Sequence, residues 1–103
     1  MLVNESCTPT ATKLSAQEVD SLLKELPNWA VVDGLLSRKF AFKNFHETMA
    51  FVNAAAWVAH QQDHHPDMFV GYSKVTLNFA THSVGGLTRN DFICAARIDL
   101  LNA

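Results

Sequence analysis

The sequence predicts an α+β fold with a mostly antiparallel sheet, in the order helix, strand, strand, helix, strand, strand, helix. Apolar residues recur at helical spacing in three segments, and between these segments they either alternate or flank a tight turn. The chain has 103 residues, of which 49% are hydrophobic and 17% are charged, as is typical of a globular protein with a single core. We therefore expect one layered domain.

The first thirteen residues, MLVNESCTPTATK, are polar, and we predict a flexible leader over residues 1–13 before a single domain over residues 14–103. This opening lacks both a basic start and a long apolar run, so we expect neither a secretory signal nor a membrane anchor. The only two cysteines, Cys7 and Cys94, are too few for a disulfide framework and favour a reducing cytoplasm. A formal charge of -2 gives no reason to expect direct binding of nucleic acid.

Local signals define the first helix and the first hairpin. Ser15 and Glu18 have the spacing of a capping box, and apolar residues at helical spacing follow, which predicts a helix near residues 15–25. The dipeptide Asp33-Gly34 lies between two apolar runs and favours a type I′ turn. The sequence therefore predicts a helix followed by a β-hairpin.

The second predicted helix, residues 44–62, begins at Asn44, a good N-cap, and is apolar around most of its circumference. Its main apolar seam comprises Phe45, Met49, Val52, Ala56 and Ala59. A second apolar set comprises Ala50, Phe51, Ala54, Trp57 and Val58. Because such a helix must be covered on more than one side, we predict a homo-oligomer that uses it.

The last third of the chain predicts a strand and a final helix. Residues 74–80 alternate, with Val75, Leu77 and Phe79 on one face, as in a half-buried strand. Gly85-Gly86 then interrupts the pattern, and Thr88 or Asn90 is a suitable N-cap. The helix that follows presents Phe92, Ala96 and Leu100 at helical spacing.

The segment HQQDHHPDMF, residues 60–69, places three histidines at the exit of the second helix. His60 and His64 are four residues apart, His65 precedes a proline that ends the helix, and His82 returns after the next hairpin. Imidazoles titrate near neutral pH, so one of them can donate a proton while another accepts one. The pattern predicts a site for general acid–base catalysis.

Other interpretations apply to the same residues. His60 suits the negative end of a helix dipole, Asp63 and Asp67 suit a solvated loop, and Asp91 suits a helix N-terminus. Histidines four residues apart are also compatible with a zinc site, although no HExxH motif or cysteine pair accompanies them. Nucleophilic catalysis by Cys94 is disfavoured because a thiol in a helix core is usually inert.

One set of residues carries a resemblance over most of the chain, from about Ser15 to Leu101. The set is His60-x3-His64-His65-Pro66-x5-Tyr72-x9-His82-x8-Asp91. This spacing resembles the signature of the pterin-4a-carbinolamine dehydratases. The resemblance implies a four-stranded antiparallel sheet with three helices packed on one face. It also implies a homodimer or homotetramer assembled through the helix at residues 44–62 and the sheet edges.

The resemblance further implies dehydration of 4a-hydroxytetrahydropterin, which aromatic amino-acid hydroxylases release, to quinonoid dihydropterin. No metal or other cofactor is expected. His64 and His82 match the proton-transfer pair, and His65 matches a residue that binds and orients the pterin. Residues that match further substrate-binding positions are Asp63, Thr81 and Ser83. Residues that match supporting positions are His60, Met68, Tyr72 and Asp91.

The chain departs from the family pattern at two positions. Many members carry glutamate at the position of His60, so we expect the carboxylate partner of the catalytic histidines either to be Asp63 or to be absent. Many members carry tryptophan at the position of Met68, whose thioether we expect to pack on the pterin instead. The alternative function is an interaction module, because some relatives are partners of a transcription factor or assembly factors. The three histidines at positions 64, 65 and 82 favour the enzyme.

Overall fold

The computed structural model describes residues 1–102, which form three α-helices and four β-strands in the predicted order. The elements are α1 (Ala16–Leu23), β1 (Ala30–Val32), β2 (Leu35–Ala41), α2 (Phe45–Gln62), β3 (Asp67–Val70), β4 (Lys74–Phe79) and α3 (Arg89–Asp99). Short 3-10 turns lie at Leu2–Asn4, His82–Val84 and Leu100–Asn102. The predicted α+β class is confirmed.

The four strands form one antiparallel sheet in the order β1-β2-β4-β3. One face of its two central strands is almost completely buried, and each of its apolar residues is at most 1% exposed. These residues are Leu36, Phe40, Val75, Leu77 and Phe79. They join one core with residues of all three helices, including Leu22, Phe51 and Phe92. The helices therefore cover one face of the sheet, as predicted.

The local signals form the structures that they predict. The Ser15 side chain accepts a hydrogen bond from the backbone of Glu18, whose carboxylate accepts one from the Ser15 backbone, and together they make a capping box. Asp33 and Gly34 have φ angles of 52° and 79°, the positive values that a type I′ turn requires. The Asn44 side chain caps the start of α2. These three predictions are confirmed.

The buried face of α2 differs from the predicted seam. The structure buries Thr48, Phe51, Ala55 and Ala59, whereas Phe45 is 49% exposed and Ala56 is also exposed. Periodicity could not identify the buried face because the helix is apolar on several sides.

Despite the apolar composition of α2, no helix within residues 1–102 has the length and hydropathy needed to cross a membrane.

The start of α3 follows the prediction, but its end does not. Thr88 caps the helix and forms a capping box with Asp91. Phe92 and Ala96 are buried in the core, as their spacing predicts. Leu100, which shares the helical spacing of Phe92 and Ala96, lies just beyond the last helical residue and is 61% exposed. The α-helix therefore ends at Asp99, one residue before Leu100.

The leader that we expected to be flexible packs along the domain in the structure. Leu2 is 3% exposed and belongs to the core, and the Arg97 guanidinium donates to the backbone oxygen of Glu5. These contacts pair residues from opposite ends of the chain, so no local signal in the leader predicts them. The division into a leader and a domain at residue 14 stays a prediction.

Candidate active site

Two segments of the chain meet beside the N-terminus of α3. The first is the exit of α2, where Asp63 adopts a left-handed conformation with φ of 50° and ends the helix. The second is the turn that follows β4. They enclose an open cavity of about 290 Å³, which we call the histidine groove. The groove is lined by Asp63, His64, His65, Ala80, Thr81, His82 and Ser83. The structure thus brings together His64, His65 and His82, the three histidines of the predicted site.

A buried carboxylate fixes His64 through a hydrogen bond. Its Nε2 lies 2.5 Å from Oδ1 of Asp91, whose side chain is completely buried. The other oxygen of Asp91 accepts hydrogen bonds from the Thr88 backbone and from the Thr81 hydroxyl, both at 2.9 Å. A buried carboxylate requires such donors to offset its lost hydration. Asp91 therefore caps α3 and anchors His64 with the same side chain.

The surroundings of His64 favour its protonated form. The hydrogen bond to Asp91 raises the pKa of His64 above its ordinary value, although partial burial opposes this change. The imidazole also lies parallel to the ring of Phe79, with ring centroids 6.0 Å apart. A raised pKa keeps a larger fraction of His64 protonated near neutral pH, which suits a proton donor.

His65 and His82 differ from His64 because both are exposed. His65 follows the end of α2 and precedes Pro66, while His82 opens a short 3-10 turn. That turn ends at Gly85, whose φ of 65° lies in the left-handed region that favours glycine. The groove therefore combines one anchored imidazole with two that are accessible to a ligand.

A second cavity of about 250 Å³ adjoins the histidine groove, and we call it the leader cavity. It shares Asp63, His64, Thr81 and Ser83 with the groove. Its other lining residues are Cys7, Thr8, Pro9, Ala11, Gln62 and Asn90. Sequence reasoning missed these six as site residues. Of these six, only Asn90 had a feature in the sequence that could have indicated the site, since it neighbours Asp91 and is a candidate cap. The leader residues had no such feature, because the leader reaches this cavity through tertiary packing.

None of the four predicted supporting residues lines either cavity, although the buried Asp91 is hydrogen-bonded to His64, which lines both. His60 is exposed and stacks on Trp57, with ring centroids 5.3 Å apart. Met68 is partly buried against the core. Tyr72 stacks on Phe45 at 6.3 Å.

The carboxylate partner of His64 differs from the predicted one. We expected Asp63, but the residue that hydrogen-bonds to His64 is Asp91. Asp63 instead forms the C-cap of α2, and its charge only adds to the rise in the pKa of His64. Within residues 1–102 no group of three or more histidine, cysteine or acidic side chains is arranged to hold a metal ion.

The ion pair of His64 and Asp91 predicts a pH dependence of stability. Because the folded pKa of His64 is raised, its contribution is fully present below the unfolded pKa of about 6.5 and is lost as pH rises through the folded pKa. We expect the free energy of unfolding to fall over this range, and to fall less in His64→Gln. Urea titrations from pH 5.5 to 8.5 measure the difference. Equal pH dependence in the two proteins would contradict the ion pair.

The fold and the groove define a class of protein, a small α+β domain with a carboxylate-anchored histidine site suited to acid–base chemistry. Residues 12–101 match the family described as Pterin 4 alpha carbinolamine dehydratase. The match covers most of the chain, and the chain belongs to this family.

Two bacterial relatives and two solved structures support this membership. The relatives are both named "Putative pterin-4-alpha-carbinolamine dehydratase". The one from Chromobacterium violaceum is 52% identical over 97% of this chain and 94% of its own. The one from Nitrosomonas eutropha is 50% identical over 97% of this chain and 92% of its own.

The solved structures extend the similarity to the fold. A transcriptional coactivator/pterin dehydratase from Brucella melitensis has a TM-score of 0.85 and 33% identity, over 89% of this chain and 100% of the other. A pterin dehydratase-like protein identified as a RuBisCO assembly factor has a TM-score of 0.58 and 26% identity. That alignment covers 71% of this chain and 84% of the other.

Proposed function

We propose that this protein dehydrates 4a-hydroxytetrahydropterin to quinonoid dihydropterin, as a hydro-lyase. The observation that carries the proposal is the histidine groove, in which His64, His65 and His82 line one cavity of about 290 Å³. A cavity near the lower end of the range for small-molecule sites suits a flat bicyclic ring. Family membership supports a pterin as the substrate.

The reaction needs two proton transfers at different positions of the ring. The hydroxyl on C4a must gain a proton to leave as water, and N5 must lose one so that the double bond forms. An acid and a base on opposite sides of a bound ring meet this need without a change of oxidation state. No metal, nucleotide or redox cofactor is required for this step.

We assign the acid role to His64 and the base role to His82. The hydrogen bond that His64 donates to Asp91 raises the pKa of His64 and favours the imidazolium that donates the proton. His82 is exposed in the opposite segment, where its imidazole is accessible to accept the proton from N5. His65 binds and orients the pterin. The polar groups that complete its binding belong to Asp63, Thr81 and Ser83.

The direct test follows the disappearance of the carbinolamine in a spectrophotometer, with and without the purified protein. We expect the protein to accelerate breakdown in proportion to its concentration, also after treatment with a chelator. A breakdown rate that does not depend on the protein would refute the proposed function. We place the activity in the cytoplasm, where an aromatic amino-acid hydroxylase would supply the substrate.

The exposed face of α2 supports the proposal of a homo-oligomer. Phe45 and Trp57 on this helix are 49% and 60% exposed, and Tyr72 beside it is 68% exposed. Large aromatic side chains that remain exposed on one chain are typical of surfaces that another subunit buries. We propose that α2, together with the sheet edges, forms a homodimer or homotetramer.

A charge on this face is predicted to dissociate the oligomer. Trp57→Asp places a carboxylate where we propose that a second subunit packs, and burial of an unpaired charge is unfavourable. We expect light scattering at micromolar concentration to give an oligomeric mass for the wild type and a lower mass for the variant. Glu47→Asp, a conservative change near the start of the same helix, is the matched control. A monomeric wild type would contradict the proposal.

An interaction module is the second candidate function. The same exposed aromatic side chains favour it, because a surface of this kind also suits a different protein as partner. The printed descriptions of the two structural neighbours name a coactivator and an assembly factor. Purified protein that binds the carbinolamine without accelerating its breakdown would favour this candidate over the enzyme.

A further inference from the structure

The leader is fixed to α3 and to the end of α2 by specific polar contacts. Thr8 and Asn90 exchange two hydrogen bonds, at 3.0 and 2.7 Å, so the Asn90 side chain pairs with the leader backbone. The Cys7 backbone donates to Gln62 at 2.8 Å. Each end of the short segment around Cys7 is thereby held, and the direction of the Cys7 side chain is defined.

This packing brings together the only two cysteines of the chain. The sulfur of Cys7 lies 3.5 Å from the sulfur of Cys94, although the two residues are far apart in sequence. Cys94 is completely buried in α3, while Cys7 is partly exposed and lines the leader cavity. One thiol is therefore accessible from a cavity, and the other lies directly behind it.

We propose that Cys7 and Cys94 form a reversible intramolecular disulfide in response to a peroxide or another small oxidant. The two sulfurs need to approach by about 1.5 Å to reach bonding distance. The leader is able to supply this movement because it is a surface segment without a long helix or strand. Cytoplasmic disulfides are usually transient and redox-sensing, which agrees with a bond that forms only under oxidation.

The chemistry proceeds in two balanced steps with hydrogen peroxide as oxidant. The Cys7 thiol attacks one oxygen of the peroxide, the O–O bond breaks, and the products are Cys7 sulfenic acid and water. The Cys94 sulfur then attacks the Cys7 sulfur, the S–O bond breaks, and the departing hydroxide takes the Cys94 proton to form a second water. The two sulfurs supply the two electrons that reduce the peroxide.

The electrostatic surroundings agree with this order of events. The hydrogen bond from Cys94 lowers the pKa of Cys7, and the nearby charges of His64 and Arg97 act in the same direction. The same hydrogen bond and burial raise the pKa of Cys94. Cys7 is therefore the thiol that reacts first, and Cys94 is the thiol that resolves the sulfenic acid.

The bond would fix one wall of the leader cavity. Thr8, Pro9 and Ala11 line this cavity together with His64, and they lie within four residues after Cys7 in the chain. A covalent link from Cys7 to α3 holds this wall against the helix that carries Asp91. Oxidation would thus convert a leader held by hydrogen bonds into one held covalently until the disulfide is reduced, beside the proposed active site but independently of its chemistry.

Peptide mapping tests the proposal directly on the full chain. Trypsin releases residues 1–13, with Cys7, and residues 90–97, with Cys94. After peroxide treatment and alkylation, we expect a loss of about 2 Da from the intact protein and one linked peptide made of these two segments. Dithiothreitol should separate the two peptides. We also expect thermal unfolding at a temperature about 10 °C higher in the oxidised protein, because a long loop is closed.

Two variants control the experiment. Cys7→Ser leaves the core intact and should show no loss of 2 Da, no linked peptide and no thermal shift. Cys94→Ala should stop at oxidised forms of Cys7 or at a disulfide between two chains. Retention of both thiols in peroxide-treated wild type would overturn the proposal. A linked peptide formed between an isotope-labelled and an unlabelled chain would overturn it too, and neither result depends on the dehydratase assay.

Discussion

Replacement of His64 with glutamine is expected to lower kcat for the dehydration of 4a-hydroxytetrahydropterin by on the order of a hundred-fold or more. Glutamine retains a group that can donate a hydrogen bond to Asp91, so the local structure is preserved while the titrating group is lost. Steady-state kinetics and circular dichroism on the same preparation separate the loss of catalysis from the loss of structure.

His46→Gln is the matched control for this variant. His46 is exposed near the start of α2 and lies outside the residues that line the histidine groove. We expect this control to retain wild-type kcat and KM. If His64→Gln kept the wild-type rate while folded, His64 would not be the proton donor.

Replacement of Asp91 with asparagine is expected to reduce both stability and activity. Both oxygens of the Asp91 carboxylate accept hydrogen bonds. In asparagine one oxygen is replaced by an NH₂ group, which is itself a donor and therefore faces a donor of the protein. We expect a loss of about 2–3 kcal/mol in the free energy of unfolding. The pKa of His64 should also fall, because its largest cause of elevation is removed.

The pH dependence distinguishes this role of Asp91 from a structural one. With His64 as the acid, kcat falls as pH rises through the pKa of His64, and in Asp91→Asn this fall should begin at lower pH. NMR titration of the His64 ring should show the same displacement. Asp67→Asn, in the exposed strand β3, serves as the control with no displacement. An unchanged pH profile in Asp91→Asn would reduce Asp91 to a helix cap.

Local sequence signals predicted most of the secondary structure because the interactions that create it are local. The Ser15 capping box, the Asp33-Gly34 turn and the alternation of Val75, Leu77 and Phe79 each involve residues within a few positions. Their backbone geometry is set by neighbouring side chains, so a short window of sequence is sufficient. The same is true of the end of α2 before Pro66.

The orientation of α2 and the packing of the leader required tertiary information. A helix that is apolar on several sides fits the core in more than one rotation, and the observed one buries Thr48 rather than Phe45. The hydroxyl of Thr48 is satisfied there by the backbone oxygens of Asn44 and Tyr72. The second acceptor lies in a distant segment, which periodicity does not register.

The candidate site shows the same division. The resemblance identified His64, His65 and His82 as site residues, because the family motif includes residues from distant segments. The structure places all three along one groove. Asp63 was the expected carboxylate partner, if there was one, because His60 stands where many family members carry glutamate. Asp91 is the observed partner because the N-terminus of α3 lies against the exit of α2. The sequence indicated only the capping role of Asp91 and not its hydrogen bond to His64.

In the proposed mechanism, His64 and His82 act on one bound pterin as acid and base. The most direct measurement compares dehydration rates for the wild type, His64→Gln, His82→Gln and the double variant with the same carbinolamine preparation. We expect each single variant to lose on the order of a hundred-fold or more, and the double variant to lose less than the product of the two, because the residues act as a unit. Wild-type rates in both folded single variants would contradict the claim.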